Sequence, residues 1–302
     1  MADLRVQLGN LSLPNPVLTA SGTYGFGREF EPLYPLSLPG AIMTKGLTLR
    51  PSMGNPTPRV AETPAGMLNS IGLENPGPDA FINEELPWLK ARGARVIANI
   101  GGHALSDYEA LSRRLSEATG LDAIEVNISC PNLDCGGMTF GIDPSLTEEA
   151  VRLVKKHSKV PVIAKLTPNV TDITEIAKAA VRGGADIISL INTLLGMAID
   201  VNTRRPVLAR NVGGLSGPAI KPVALRMVWQ VAQAVEVPII GMGGIMTARD
   251  AIEFFLAGAS AVALGTANLI NPACVPEVIE GIDQWLDREG YKSVNDIRGL
   301  AL

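Results

Sequence analysis

Apolar residues recur along this chain in short, nearly continuous runs rather than in strict alternation with polar ones. Eight runs predict strands, at 16–20, 41–45, 96–100, 123–128, 162–166, 187–191, 238–242 and 261–264. Strands apolar on both faces belong to parallel sheets, with a packed interior on one side and helices on the other. Between the later runs the period lengthens, predicting helices over 106–118, 145–156, 172–182, 218–234 and 248–257, and a last one around 276–286. Eight such strands, with helices between the later ones, predict an α/β fold: a single (β/α)8 TIM barrel. An open doubly wound sheet is the alternative.

Two segments depart from the repeat. Residues 5–8 and 11–13, around Gly9-Asn10, predict an N-terminal β-hairpin capping the far end of the barrel. Residues 50–78, with six prolines and four glycines, read as a long irregular insertion after the second strand. It is expected to lie as a loop over the barrel mouth, with Asn69-Ser70-Ile71-Gly72-Leu73 lining a ligand pocket.

Composition narrows the picture. A 302-residue chain that is 46% hydrophobic has the apolar content for one large core, so residues 1–302 are expected to form one domain. A net charge of −4 with no Lys/Arg-rich block argues against nucleic acid and anionic membranes as partners. The N-terminus has no apolar signal core and no run reaches spanning length, so the protein is expected to be soluble, and its three cysteines, too few for a disulfide framework, fit a reducing cytoplasm. Cys130, Cys135 and Cys274 form no paired Cys-x-x-Cys groups, and only His103 and His157 are present. A metal site, a disulfide framework or a serine triad is therefore poorly supported. His157, after Lys155-Lys156, reads as a solvated helix end.

Candidate chemistry gathers at strand ends. In Asn127-Ile128-Ser129-Cys130-Pro131-Asn132, Pro131 stops the strand and leaves Cys130 at its C-terminal mouth, where parallel barrels carry catalytic groups. A lone cysteine there is more often packing. Lys45, Lys165 and Asn192-Thr193, however, end three other strands in the same way. The glycine turns Gly243-Gly244 and Gly265-Thr266 follow strands seven and eight, where α/β barrels present backbone amides to phosphate; tight packing is the plain alternative. Gly213-Gly214-Leu215-Ser216-Gly217-Pro218 reads as a third, flexible loop. A lysine at a strand end beside phosphate-binding glycines would also suit a barrel aldolase with Lys165 as the Schiff-base amine.

Over nearly its full length the chain resembles the class 1 dihydroorotate dehydrogenases, flavin barrels of pyrimidine biosynthesis. The resemblance rests on Thr19-Ala20-Ser21-Gly22, Lys45-Gly46, Gly54-Asn55-Pro56-Thr57-Pro58-Arg59, Asn69-Ser70-Ile71-Gly72-Leu73, Asn127-Ile128-Ser129-Cys130-Pro131-Asn132, Ala164-Lys165-Leu166-Thr167-Pro168-Asn169, Ile191-Asn192-Thr193 and Gly243-Gly244. Cysteine at position 130 resembles the class 1 base, where class 2 uses serine. The run Asn55 to Pro64 looks most like the NAD-linked 1B catalytic subunit, the fumarate-using 1A enzyme being the alternative.

The resemblance implies one FMN per chain and a separate partner subunit carrying FAD and a [2Fe–2S] cluster, in a homodimer of this chain plus two electron-transfer subunits. It implies removal of the C5 proton of dihydroorotate by Cys130 and transfer of the C6 hydride to FMN. Substrate contacts are expected from Lys45, Asn69, Ser70, Ile71, Gly72, Leu73, Asn127, Asn192 and Thr193. Flavin contacts are expected from Ser21, Lys45, Gly46, Asn99, Asn127, Lys165, Ile191 and Gly217, and phosphate contacts from Gly243, Gly244, Gly265 and Thr266. Cys135 does not match the family base, and Cys274 is expected to pack.

Overall fold

The computed structural model describes residues 2–129 and 140–302. Cys130 and Cys135 lie outside the described residues. Eight parallel strands close into a barrel: Val17–Thr19, Ile42–Met43, Val96–Ile100, Ala123–Asn127, Val162–Leu166, Ile187–Leu190, Ile239–Met242 and Ala261–Leu264. The last pairs with the first, Val262 opposite Val17. Each falls on one of the predicted runs. Every residue of Val96–Ile100 and of Val162–Leu166 is buried, which is why those runs do not alternate. Asn99, Glu125, Lys165 and Ser189 stand inside this apolar frame, and all four are buried.

Helices Leu105–Leu115, Pro144–His157, Ile173–Arg182, Lys221–Ala232 and Ala248–Leu256 alternate with the later strands. Their starts are set locally. Asp143 Oδ1 accepts from Leu146 N at 2.9 Å with Pro144 in the first turn, and Thr247 and Asp250 form a reciprocal capping box. The last helix, Cys274–Glu289, begins before the predicted 276, because Pro276 lies in its first turn, where no intrahelical N–H bond is lost. Pro78–Ala80, Phe81–Glu85 and Leu86–Ala91 form an unpredicted helical stretch before the third strand. Pro78 and Pro87 disguise it in the sequence while sitting at starts of its pieces. His157 is not simply solvated: Nε2 lies 3.0 Å from Glu109 Oε1 on the neighbouring helix. Among the described residues no helix is long and apolar enough to cross a membrane.

Val6–Leu8 and Leu11–Leu13 pair antiparallel as the N-terminal hairpin, with the leucines and Val6 turned inward. A Cβ on Gly9 would lie 3.9 Å from the carbonyl of Asp186, the residue before the sixth strand, so the turn sits at the barrel's N-terminal end.

The insertion is not an irregular loop. Val60–Thr63 and Gly66–Asn69 pair antiparallel, and Gly66–Asn69 pairs in turn with Val212–Ser216, which pairs with Leu194–Met197. Two excursions far apart in sequence thus build one four-stranded sheet. Pro58 precedes its edge strand and Pro64 occupies the hairpin turn, so neither removes a ladder bond. The predicted flexible loop at 213–218 is corrected as well: Gly213 and Gly214 lie in an inner strand. A Cβ on Gly214 would fall 2.0 Å from Thr193 Oγ1, so glycine serves close approach there rather than mobility.

Candidate active site

A cavity of about 630 Å3 opens at the C-terminal ends of the barrel strands. Met67, Asn69, Leu195, Gly214 and Ser216 of the four-stranded sheet contribute to its wall. Every site residue named from the sequence except Cys130 lines it: Ser21, Lys45, Gly46, Asn69, Ser70, Ile71, Gly72, Leu73, Asn99, Asn127, Lys165, Ile191, Asn192, Thr193, Gly217, Gly243, Gly244, Gly265 and Thr266. Cys130 lies outside the described residues, one position beyond Ser129, which lines the cavity and whose Oγ donates to Lys165 O at 3.2 Å.

The deeper part holds a buried charge pair. Lys165 Nζ is 3.9 Å from Glu125 Oε2, with side-chain exposures of 6% and 0%. Ser189 Oγ donates to Glu125 Oε1 at 2.7 Å and Asn99 Nδ2 to Oε2 at 2.5 Å. Taking a carboxylate this far from water is costly unless it is paired and hydrogen-bonded, and here it accepts two hydrogen bonds beside a lysine ammonium.

The outer part carries a second lysine. Lys45 follows the second barrel strand, and its Nζ stands 3.7 Å from Glu74 Oε2, an oxygen that also accepts from Arg59. Here the side chains are 29% and 37% exposed. Nearby, Asn69 Nδ2 donates to Gly214 O at 3.3 Å, and Asn127 Oδ1 accepts from Ser129 N at 3.1 Å. The buried Ser70 Oγ has no hydrogen-bond partner among the described residues. Asn192 N donates to Leu166 O, and Asn169 Nδ2 donates to Thr193 O at 3.0 Å, fixing the loop after the sixth strand against the loop after the fifth.

The glycine turns close the remaining side. Gly244 has φ +76, and a Cβ there would fall 2.7 Å from Lys221, so both conformation and space demand glycine. A Cβ on Gly265 would meet nothing closer than Ala20 at 3.7 Å, so packing does not explain that glycine and a bare backbone at the cavity surface does. Thr266 Oγ1 donates to Ser216 Oγ at 2.8 Å, linking the eighth-strand turn to the overlying sheet.

A family model for dihydroorotate dehydrogenase matches residues 3–286. The chain belongs to the dihydroorotate dehydrogenase family. Relatives named dihydroorotate dehydrogenase B (NAD(+)), catalytic subunit, include that of Alkaliphilus metalliredigens, 56% identical over 297 residues covering 98% of each chain. That of Geotalea uraniireducens is 55% identical over 300 residues, 99% of this chain and 98% of its own. That of Bacillus cereus is 54% identical over 301 residues, 100% of this chain and 97% of its own. This dihydroorotate dehydrogenase family assignment leaves the aldolase reading of Lys165 without support.

Glu125, Asn169 and Glu74 are among the side chains of the site missed from the sequence. Glu125 had a signal, a charge in the middle of an apolar strand, which is rarely buried without a task. Asn169 stood inside a motif without an assigned part. Glu74 had no signal, because only the folded insertion brings it to Lys45. Cys274 is buried, as expected of a packing residue: burial pushes its thiol up to about 12, and Sγ donates to Asn268 Oδ1 at 3.3 Å.

Proposed function

We propose that this chain oxidises (S)-dihydroorotate to orotate in pyrimidine biosynthesis, with FMN bound in the cavity and electrons passed to NAD through a partner subunit carrying FAD and a [2Fe–2S] cluster. The observation that carries the reading is convergence: two lysines, carboxamides from four strands or loops, and glycine turns after strands seven and eight all face one cavity. The residues fit a flavin phosphate. A buried cation, an acceptor on Asn99 with no partner among the described residues, and an uncrowded Gly265 backbone suit a planar heterocycle with N–H and carbonyl edges and an anionic tail. Lys165, Asn99, Asn127, Ser21, Gly46, Ile191 and Gly217 would hold the ring and ribityl chain, and Gly243, Gly244, Gly265 and Thr266 the phosphate. When bound, FMN supplies the acceptor for the hydride leaving C6 of the substrate.

The protein's own groups do the rest. Lys45 offers a charge-assisted hydrogen bond to the substrate carboxylate, for which its present partner Glu74, at 3.7 Å, is a loose stand-in. Asn69, Asn127, Asn192 and Thr193 offer the amides and hydroxyl that match the pyrimidine's imide edge, with Ser70 to Leu73 closing over it. Cys130 takes the C5 proton onto Sγ as the C5=C6 double bond forms. Only the thiolate can do this, and a free cysteine has a pKa of about 8.5, so turnover should fall as pH drops through the thiol's pKa in the site.

The relatives' designation as a catalytic subunit supports a separate electron-transfer chain for this one. With dihydroorotate as donor, NAD reduction should require adding that partner. Full NAD-linked turnover by this chain alone contradicts the partner, and full turnover with fumarate but not with the partner and NAD favours the class 1A reading.

A further inference from the structure

Four neighbouring barrel strands each send one polar side chain into the same buried layer. Asn99 stands opposite Glu125 in register, and Ser189 stands opposite Lys165. Glu125 receives Asn99 Nδ2, Ser189 Oγ and the field of Lys165, and it is fully buried. A carboxylate facing an ammonium has no proton to give, so only the NH2 end of the Asn99 amide can face it. The two ends of a carboxamide are nearly alike in shape, and this hydrogen-bond logic is what decides between them. Oδ1 is thereby forced to the opposite side. It is buried, without a hydrogen-bond partner among the described residues, and lies where a Cβ on Gly46 would come within 2.8 Å of it. Glycine at 46 leaves the room beside that oxygen, and both Gly46 and Asn99 line the cavity.

We propose that Glu125 is a positioning residue that locks the Asn99 amide with its carbonyl oxygen toward the ligand, so that the pocket selects a flavin by a ring N–H. The inference rests on the flavin reading above. Oxidised FMN has one ring N–H, at N3, and a buried acceptor left unmet costs far more than a solvated one. Glu125 itself touches neither substrate nor cofactor. Its part is to make the neighbouring amide read the ligand in one sense only.

The test titrates apoprotein with FMN and with N3-methyl-FMN, following flavin fluorescence, in the wild type, Glu125→Met and Glu125→Gln. The wild type should prefer FMN by about tenfold or more, the cost of burying an unmet acceptor. Methionine removes every acceptor, and glutamine offers Asn99 a donor as well as an acceptor, so neither imposes one orientation. In whichever variant keeps the wild-type circular dichroism the preference should drop to threefold or less. Wild-type preference in a folded variant overturns the positioning role. No preference in the wild type overturns the acceptor and the proposal with it. Binding of neither ligand by the wild type instead overturns the flavin reading itself.

Discussion

Two cavity lysines each pair with a carboxylate at almost the same separation, Lys165 with Glu125 behind the cavity wall at 3.9 Å and Lys45 with Glu74 at 3.7 Å. Distance therefore does not distinguish them. Burial does: the first pair is sealed between barrel strands and hydrogen-bonded by Asn99 and Ser189, whereas the second is about one-third exposed at the mouth and shared with Arg59. A buried pair is locked because neither partner can be left alone in a low-dielectric interior. An exposed pair is exchangeable, because water and salt screen it and an incoming carboxylate can replace one member. On the proposed function, the floor suits a cofactor retained through many turnovers, and the mouth suits a product that leaves.

Breaking the floor should cost most. Lys165→Met strands Glu125 and is expected to destabilise the apoprotein by about 3–5 kcal/mol in chemical denaturation, as one-sided disruption of a buried pair does. Flavin retention should fall with it. Lys165→Met/Glu125→Met should recover much of the stability, and a double variant no better than the single would mean the pair is not coupled.

The sheet over the mouth comes next. Gly214→Ala drives a methyl into Thr193 Oγ1, and overpacking of this kind costs about 1–3 kcal/mol. Turnover should drop through a raised KM while the barrel's thermal transition persists. Unchanged kinetics would show that Thr193 is not held by this contact.

At the mouth, stability should barely move. Lys45→Met is expected to change unfolding free energy by less than about 1 kcal/mol. It should raise the KM for dihydroorotate by about tenfold or more, since a hydrogen bond to a charged group is lost. Added salt should weaken substrate binding by the wild type while leaving flavin retention intact. A Lys45→Met enzyme with the wild-type KM would remove Lys45 from substrate binding. The smallest effect belongs to Cys135→Ser, which should turn over like the wild type; a large loss would move the proton-transfer role toward that cysteine.

The same contrast governs what the sequence disclosed. The barrel was legible because its strands fall on short, mostly apolar runs, as in Val162–Leu166, which pairs with the strands before and after it in sequence. The sheet over the mouth was not, because Gly66–Asn69 finds its partner at Val212–Ser216, far along the chain, and its glycines look like loop signals until the close approach they permit is visible. Site residues at strand ends, such as Lys45 and Asn127, were named by position and family resemblance. Glu74 acts only through the folded insertion, and Glu125 was visible as a charge in an apolar strand but gained a partner only when four strands closed round it.

The central claim is that the cavity performs the dihydroorotate half-reaction with Cys130 as base. The direct measurement is flavin absorbance after anaerobic mixing of FMN-loaded protein with dihydroorotate, in the wild type and Cys130→Ala. Rapid bleaching in the wild type, slowed by about 100-fold or more in the variant, is the predicted result. Bleaching at the same rate in both would contradict Cys130 as the base, and no bleaching in either, with FMN bound, would contradict dihydroorotate as the substrate of this chain.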